Sequence, residues 1–253
     1  MLARDARATV DEGYYVHTAP IEPVSASLKN AITQSKTVPV ITEIKGASPS
    51  AGTIKKGFAP EKIAEAMAKG GAVGISVLTE PKHFDGALSY LARVREAVSL
   101  PILMKDIVIS SVQLEAASRI GANAVLLIEA LFDREYCDSS VDEMIAEAHS
   151  RNLEVLLETH SDDEFRRALS SDADMVGINN RDLGTLKVDL SVTKKILEEN
   201  SAVGKIVVSE SGIATADDVR FLHACGAKAF LVGSAIMLAN DVEAKVRELV
   251  HAS

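Results

Sequence analysis

No stretch of this 253-residue chain approaches the roughly 18 consecutive apolar residues that a membrane-spanning helix requires. Passage through a bilayer is therefore not expected. Positive charge is also short: 27 Lys and Arg face 36 Asp and Glu, a formal balance of −9. That balance argues against nucleic acid and anionic membrane as partners, although one pocket can still be locally positive. Cysteine is scarce. Cys137 and Cys225 stand alone in sequence, which makes a disulfide scaffold unexpected and fits a reducing cytoplasm. The six histidines show neither HxH nor HExxH spacing, so no metal site is expected. Residues 1–15 mix both charges and hold no apolar core segment, so no secretory leader is expected.

What the chain does have is eight apolar stretches, at 40–46, 72–78, 101–107, 123–128, 153–158, 175–179, 205–210 and 228–233. They are short, nearly continuous runs, as expected of parallel strands buried on both faces. Amphipathic helical patterns separate them. Pro60 suits a first helical position and Gly70-Gly71 ends that helix; Ser161 with Glu164, and Thr215 with Asp218, have capping-box spacing. Strand and helix alternating eight times imply a parallel sheet, either a closed barrel or a doubly wound open sheet. The length matches the usual barrel of about 250 residues. No Gly-x-Gly-x-x-Gly follows the first stretch, which disfavours a dinucleotide-binding open sheet. The expectation is an α/β fold: a single TIM-barrel domain of eight β/α units over residues 40–253. A short N-terminal helical extension over 1–39 would carry a helix near 24–34 that closes the barrel bottom or edges the pocket.

Polar residues stand where the apolar stretches end. Glu43 and Lys45 share one face of the first strand, because side chains alternate across a strand. Either they form an ion pair at the floor of a pocket, or they decorate a solvated edge. Lys105 closes the third stretch and Glu158 the fifth, at positions that read as catalytic in a barrel; the alternative for Lys105 is a surface lysine just past the strand. Glu154 reads as a solvated strand start, and His160 as a loop or helix-start residue. Asn179 can donate and accept toward a hydroxyl. Arg181 either binds a carboxylate or ties loops together through Asp182. Glu210, Ser211 and Gly212 follow the seventh stretch, and Gly233 with Ser234 the eighth; these are the loops between which barrels commonly bind phosphate. Ser48 and Ser50 lie in a small, glycine-flanked loop after the first stretch, which is either part of that site or an ordinary turn. Phe84 either packs on an aromatic ligand or covers the rim.

Taken together, the segments 41–52, 78–84, 100–106, 177–183, 209–213 and 231–234 resemble the indole-3-glycerol phosphate synthases, over about residues 40–240. The resemblance implies a barrel lyase of tryptophan biosynthesis. Its substrate would be the phosphorylated 1-(2-carboxyphenylamino)-1-deoxyribulose 5-phosphate, and no metal or cofactor would be used. Association with other enzymes of the pathway is a further expectation. By position, Lys105 would be the general acid and Glu158 the partner acid/base. Lys45 would face the anthranilate carboxylate, tuned by Glu43, and Asn179 would hold a substrate hydroxyl. Glu210 and Ser211 would line the pocket, Ser50, Gly212, Gly233 and Ser234 would cradle the phosphate, and Phe84 would flank the ring. Three departures stand out. Ile107 occupies a place often aromatic in the family, implying a looser aryl pocket. Segment 128–132 lacks a lysine that some members carry, and the part before the first strand is short. A ribosyl-anthranilate isomerase is a rival, but it would need a cysteine where this chain has Glu43 and Lys45. A non-catalytic phosphate-binding barrel is another, though it would have no use for Lys105 and Glu158.

Overall fold

The computed structural model of the chain describes residues 2–22, 24–48, 52–54 and 57–252, with Ser48 described in its backbone only. Eight parallel strands close into a barrel: β1 (Val40–Ile44), β2 (Gly74–Leu78), β3 (Ile102–Lys105), β4 (Ala124–Ile128), β5 (Glu154–Thr159), β6 (Met175–Asn179), β7 (Ile206–Glu210) and β8 (Ala229–Val232). Each strand pairs with its sequence neighbours, and β1 pairs with both β2 and β8 to complete the ring. The principal outer helices are α3 (Pro60–Lys69), α4 (Leu88–Ala97), α5 (Ser111–Arg119), α7 (Val141–Ser150), α8 (Asp162–Ser170), α9 (Ser191–Glu199), α10 (Ala216–Ala224) and α12 (Val242–Val250). Short helices α6 (Glu129–Asp133) and α11 (Ser234–Met237) follow β4 and β8 directly. Among the described residues, no helix is long and apolar enough to cross a membrane.

Period-two alternation divides the apolar residues into two cores. Val40, Ile44, Ile75, Met104, Leu127, Val155, Val176, Val207 and Phe230 face outward and pack with the helices. Ile41, Leu103, Leu126, Leu156, Met175, Val208, Ala229 and Leu231 form the inner core. Four of these inner residues, Ile41, Leu103, Leu156 and Val208, come from the alternate strands β1, β3, β5 and β7 and are fully buried. Four side chains from alternate strands make up one layer of a packed barrel interior.

The N-terminal part does two jobs. α2 (Leu28–Thr33) plugs the bottom: Leu28 is fully buried in the inner core and lies against Gly74, where an added Cβ would come within 2.5 Å of Leu28 Cδ1. Glu154, at the start of β5, is half-buried rather than solvated. Its carboxylate accepts from the backbone N–H groups of Leu28 at 2.7 Å and Lys29 at 3.0 Å, and from the Ser27 hydroxyl. A carboxylate at a helix N-terminus satisfies orphan donors and complements the dipole. Glu154→Ala should therefore cost about 1–2 kcal/mol, read as a lower urea midpoint, with turnover kept at low temperature because the opposite rim is untouched.

α1 (Leu2–Asp11) lies within the expected N-terminal helical extension, ahead of the one helix the sequence reading placed near 24–34. It packs against the segments that follow β2, β3 and β4 on the other rim. Ala3 and Ala6 join the inner core beside Ile107, Ile109 and Leu131. Tyr15, just beyond it, donates to Asp106 at 3.0 Å, and His83 contacts Asp5 at 2.8 Å. Ile107 is itself buried in that apolar wall.

Candidate active site

Directly above the layer of Ile41, Leu103, Leu156 and Val208, two residues further along the same strands, stand Glu43, Lys105, Glu158 and Glu210. The topmost layer of the barrel interior is thus ionisable rather than apolar. Lys105 Nζ lies 3.0 Å from Glu158 Oε2 and 3.5 Å from Glu210 Oε2. Strands β3, β5 and β7 are not neighbours in the ring, so these contacts cross the interior. Lys45, just past β1, pairs with Glu43 at 2.7 Å. The solvated-edge reading of this strand is excluded, since Glu43 is only 3% exposed.

The neighbouring strands make room for these charges by being small. A Cβ on Gly177 of β6 would collide with Glu210 Oε1, and one on Gly233 would lie 2.5 Å from Glu43 Oε1 and 2.9 Å from Lys45 Nζ. Close approach of another group is a standing reason for glycine in a strand.

Three carboxylates share this layer with two ammonium groups, and burial decides how the protons divide. Burial disfavours the Lys105 ammonium, but Glu158, Glu210 and Glu43 more than offset it and raise its pKa above the ordinary lysine value. Burial likewise opposes the Glu158 carboxylate, yet Lys105 and His160 hold it well below the usual carboxylate range. Glu210 moves the other way: burial raises it, Lys105 pulls against that, and repulsion from Glu158 and Glu43 adds to the rise. Like charges in one site split their titrations in this manner. At neutral pH the layer holds a charged acid (Lys105), an ionised base (Glu158) and a carboxyl biased toward its protonated form (Glu210). Glu43 Oε2 and Glu210 Oε1 are buried without a hydrogen-bond partner among the described residues.

Asn179 ends β6 level with Glu210 and accepts from the Arg181 N–H at 3.0 Å. The Arg181 guanidinium donates to the Leu186 carbonyl at 3.1 Å, so it ties its own loop, while Asp182 accepts from Gly184 and Thr185 instead. Ser211 adopts a left-handed φ of 66°, unusual for a residue with a side chain. The buried side chain of Asn180 holds this turn, donating to the carbonyls of Glu210 at 2.9 Å and Ser211 at 3.2 Å and to Ser209 Oγ at 3.0 Å. Gly212, at φ 83°, lies under Val188 of the loop after β6. Gly233 and Ser234 begin α11 on the adjoining strand. Phe84 is half-buried on the loop after β2, where its carbonyl accepts from the Ala47 N–H at 3.1 Å. Ser50 and the side chain of Ser48 lie outside the described residues.

Two contributors escaped the sequence reading. Asn180 is the second half of an Asn-Asn pair whose first half drew the attention. His160 is no simple loop residue: its ring lies against Glu158. Its one sequence signal is the two-residue offset from Glu158.

Residues 6–249 match the family model described as indole-3-glycerol phosphate synthase. An indole-3-glycerol phosphate synthase of Methanocaldococcus jannaschii is 44% identical over 227 residues, covering 88% of this chain and 82% of the relative. One from Geobacillus sp. (strain WCH70) is 41% identical over 228 residues, covering 89% and 85%. Among solved structures, a thiamine phosphate pyrophosphorylase from Pyrococcus furiosus superposes with a TM-score of 0.60 at 20% identity, covering 88% of this chain and 96% of that one. That likeness concerns the fold alone.

Proposed function

The chain belongs to the indole-3-glycerol phosphate synthase family, decarboxylating lyases of tryptophan biosynthesis, and from that premise we propose which side chains run each step. The reaction closes the pyrrole ring of 1-(2-carboxyphenylamino)-1-deoxyribulose 5-phosphate with loss of one CO2 and one water. The observation that carries the assignment is the charged layer, in which Lys105 reaches both Glu158 and Glu210.

Lys105 protonates the ketone oxygen as the ring carbon attacks. Its ammonium is held charged in advance, aimed where negative charge develops, and such preorganised charge lowers the barrier. The carboxylate then leaves as CO2, and the electron pair of the broken bond returns to the ring. Lys45 faces that carboxylate beforehand, oriented by Glu43. Dehydration removes the new hydroxyl and a proton from the adjacent carbon, with Glu158 as the partner acid/base. Once Lys105 has given up its proton, the larger of the two cationic influences that lower Glu158 is gone. The two groups therefore act as one coupled unit. Asn179 holds a substrate hydroxyl, Glu210 and Ser211 line the pocket, and Phe84 with Ile107 flanks the aryl ring. Ser48 and Arg181 complete the binding set at its edge. Gly212, Gly233 and Ser234, joined by Ser50, cradle the phosphate. The two anchors, one at each end of the substrate, force the folded geometry that ring closure needs.

Turnover of the purified protein with this substrate, followed by indole fluorescence, tests the reading. Phosphate-ligand binding without product would replace it with a non-catalytic barrel. Ser234→Ala should raise KM by about tenfold with kcat little changed, the loss of one hydrogen bond to a charged group. A fall in kcat with unchanged KM would move Ser234 out of the phosphate cradle. We also place the enzyme in the cytoplasm, in keeping with its free thiols Cys137 and Cys225. Association with other enzymes of the pathway is proposed from family membership alone.

A further inference from the structure

His160 follows β5, and its side chain is 9% exposed. Nε2 lies 3.2 Å from Glu158 Oε1, and Nδ1 lies 3.6 Å from Glu164 Oε2 near the start of α8. Glu164 Oε2 also accepts the backbone N–H of His160 at 2.7 Å, so the residue is gripped at both ends. Neither ring nitrogen makes a well-aligned hydrogen bond among the described residues; the contacts are those of a cation beside carboxylates. The other oxygen of Glu158 faces Lys105 at 3.0 Å. Glu158 is therefore held between two nitrogen bases, one on each oxygen, and only Lys105 points toward the pocket shared with Glu210 and Glu43.

We propose that His160 is a positioning residue for the ring closure: its imidazolium, clamped by Glu158 and Glu164, holds the Glu158 carboxylate in the orientation that faces Lys105, and release of that clamp sets the alkaline limit of turnover. The inference rests on the assignment of Glu158 given above. The surroundings are consistent in sign. From β5 the ring meets Glu158, and from α8 Glu164. From the loop after β6 it feels Asp182, whose carboxyl is kept low chiefly by Thr185 and to a lesser extent by His160. The nearby cation Arg167 is engaged with Glu129 at 2.9 Å and with Asp133. Burial opposes the charge on His160, but Glu158 and Glu164 override it and push the group up to about 9. A histidine raised in this way contributes fully below its ordinary value near 6.5, and its contribution fades as pH rises through about 9.

The test is the pH profile of kcat from neutral to alkaline conditions, alongside an NMR titration of the His160 ring. Wild type should lose activity with the same midpoint at which His160 deprotonates. Glu164→Gln removes one of the two carboxylates and should move both midpoints down together by roughly one unit. His160→Asn should lower kcat about tenfold and abolish the limb near that pH. An unmoved limb in Glu164→Gln and His160→Asn overturns the inference, as does a ring titration that does not track the limb. Glu158→Gln separates the two levels: if it retains turnover, the underlying assignment fails. If it is inactive while the His160 variants keep the wild-type profile, only the role of His160 fails.

Discussion

Lys105→Ala is expected to lower kcat by roughly 10²–10⁴-fold, the usual worth of a positioned general acid, with a modest change in KM. Alanine removes the proton donor and leaves Glu43, Glu158 and Glu210 facing Lys45, with His160 beside Glu158. Glu158 and Glu210, without the Lys105 charge, then take up protons more readily. In wild type the depressed Glu158 contributes stability above the ordinary carboxylate range, and that contribution is lost as pH falls through its lowered folded value. Without Lys105 this contribution shrinks to what His160 supplies, so the gap in melting temperature between wild type and variant should widen from acidic to neutral pH. Breaking a buried pair by deleting one partner costs about 3–5 kcal/mol where the other stays charged. Proton uptake reduces that cost here. Steady-state and single-turnover rates measure the first effect, and thermal unfolding across pH the second. A variant that turns over near the wild-type rate would show that the acid lies elsewhere.

Gly233→Ala should lower kcat/KM by about 100-fold or more while the barrel stays folded. The backbone tolerates alanine, since φ is −117° at this residue. The damage is steric: the new methyl lies 2.5 Å from Glu43 Oε1 and 3.0 Å from Lys45 Cε. Glu43 is buried, so admitting the methyl displaces the 2.7 Å pair with Lys45. The same methyl narrows the approach to the Ser234 N–H. Circular dichroism should be unchanged. Gly177→Ala, which places a methyl against Glu210, should act the same way from β6, on the far side of β7. Wild-type kinetics in Gly233→Ala would mean that Glu43 and Lys45 do not need their observed places.

Much of this was legible in the chain before any coordinates. Short apolar runs separated by amphipathic segments announced parallel strands, and the first strand's alternation correctly paired Glu43 with Lys45. Strand ends were set within a few residues: the third was expected over 101–107 and pairs only over Ile102–Lys105. Within the expected N-terminal helical extension α1 had no bounds of its own, because its alternating charged and small residues give no long apolar stripe. Glu154 was misread because its partners, the N–H groups of Leu28 and Lys29, lie more than a hundred positions away in the chain. Asn180 and His160 were passed over because a buried polar side chain looks like any loop residue until its surroundings are known.

The sequence by itself determined the strand count, which residues of a strand share a face and the chemical kinds at the strand ends, since period-two alternation and right-handed crossovers are local consequences of chain stereochemistry. Only the tertiary structure decided that Glu43, Lys105, Glu158 and Glu210 form one layer. Alternate strands do not touch as neighbours; their side chains meet only when the sheet closes on itself. Closure also buries the carboxylates of this layer, and burial turns the proximity of these ionisable groups into a division of protons among them.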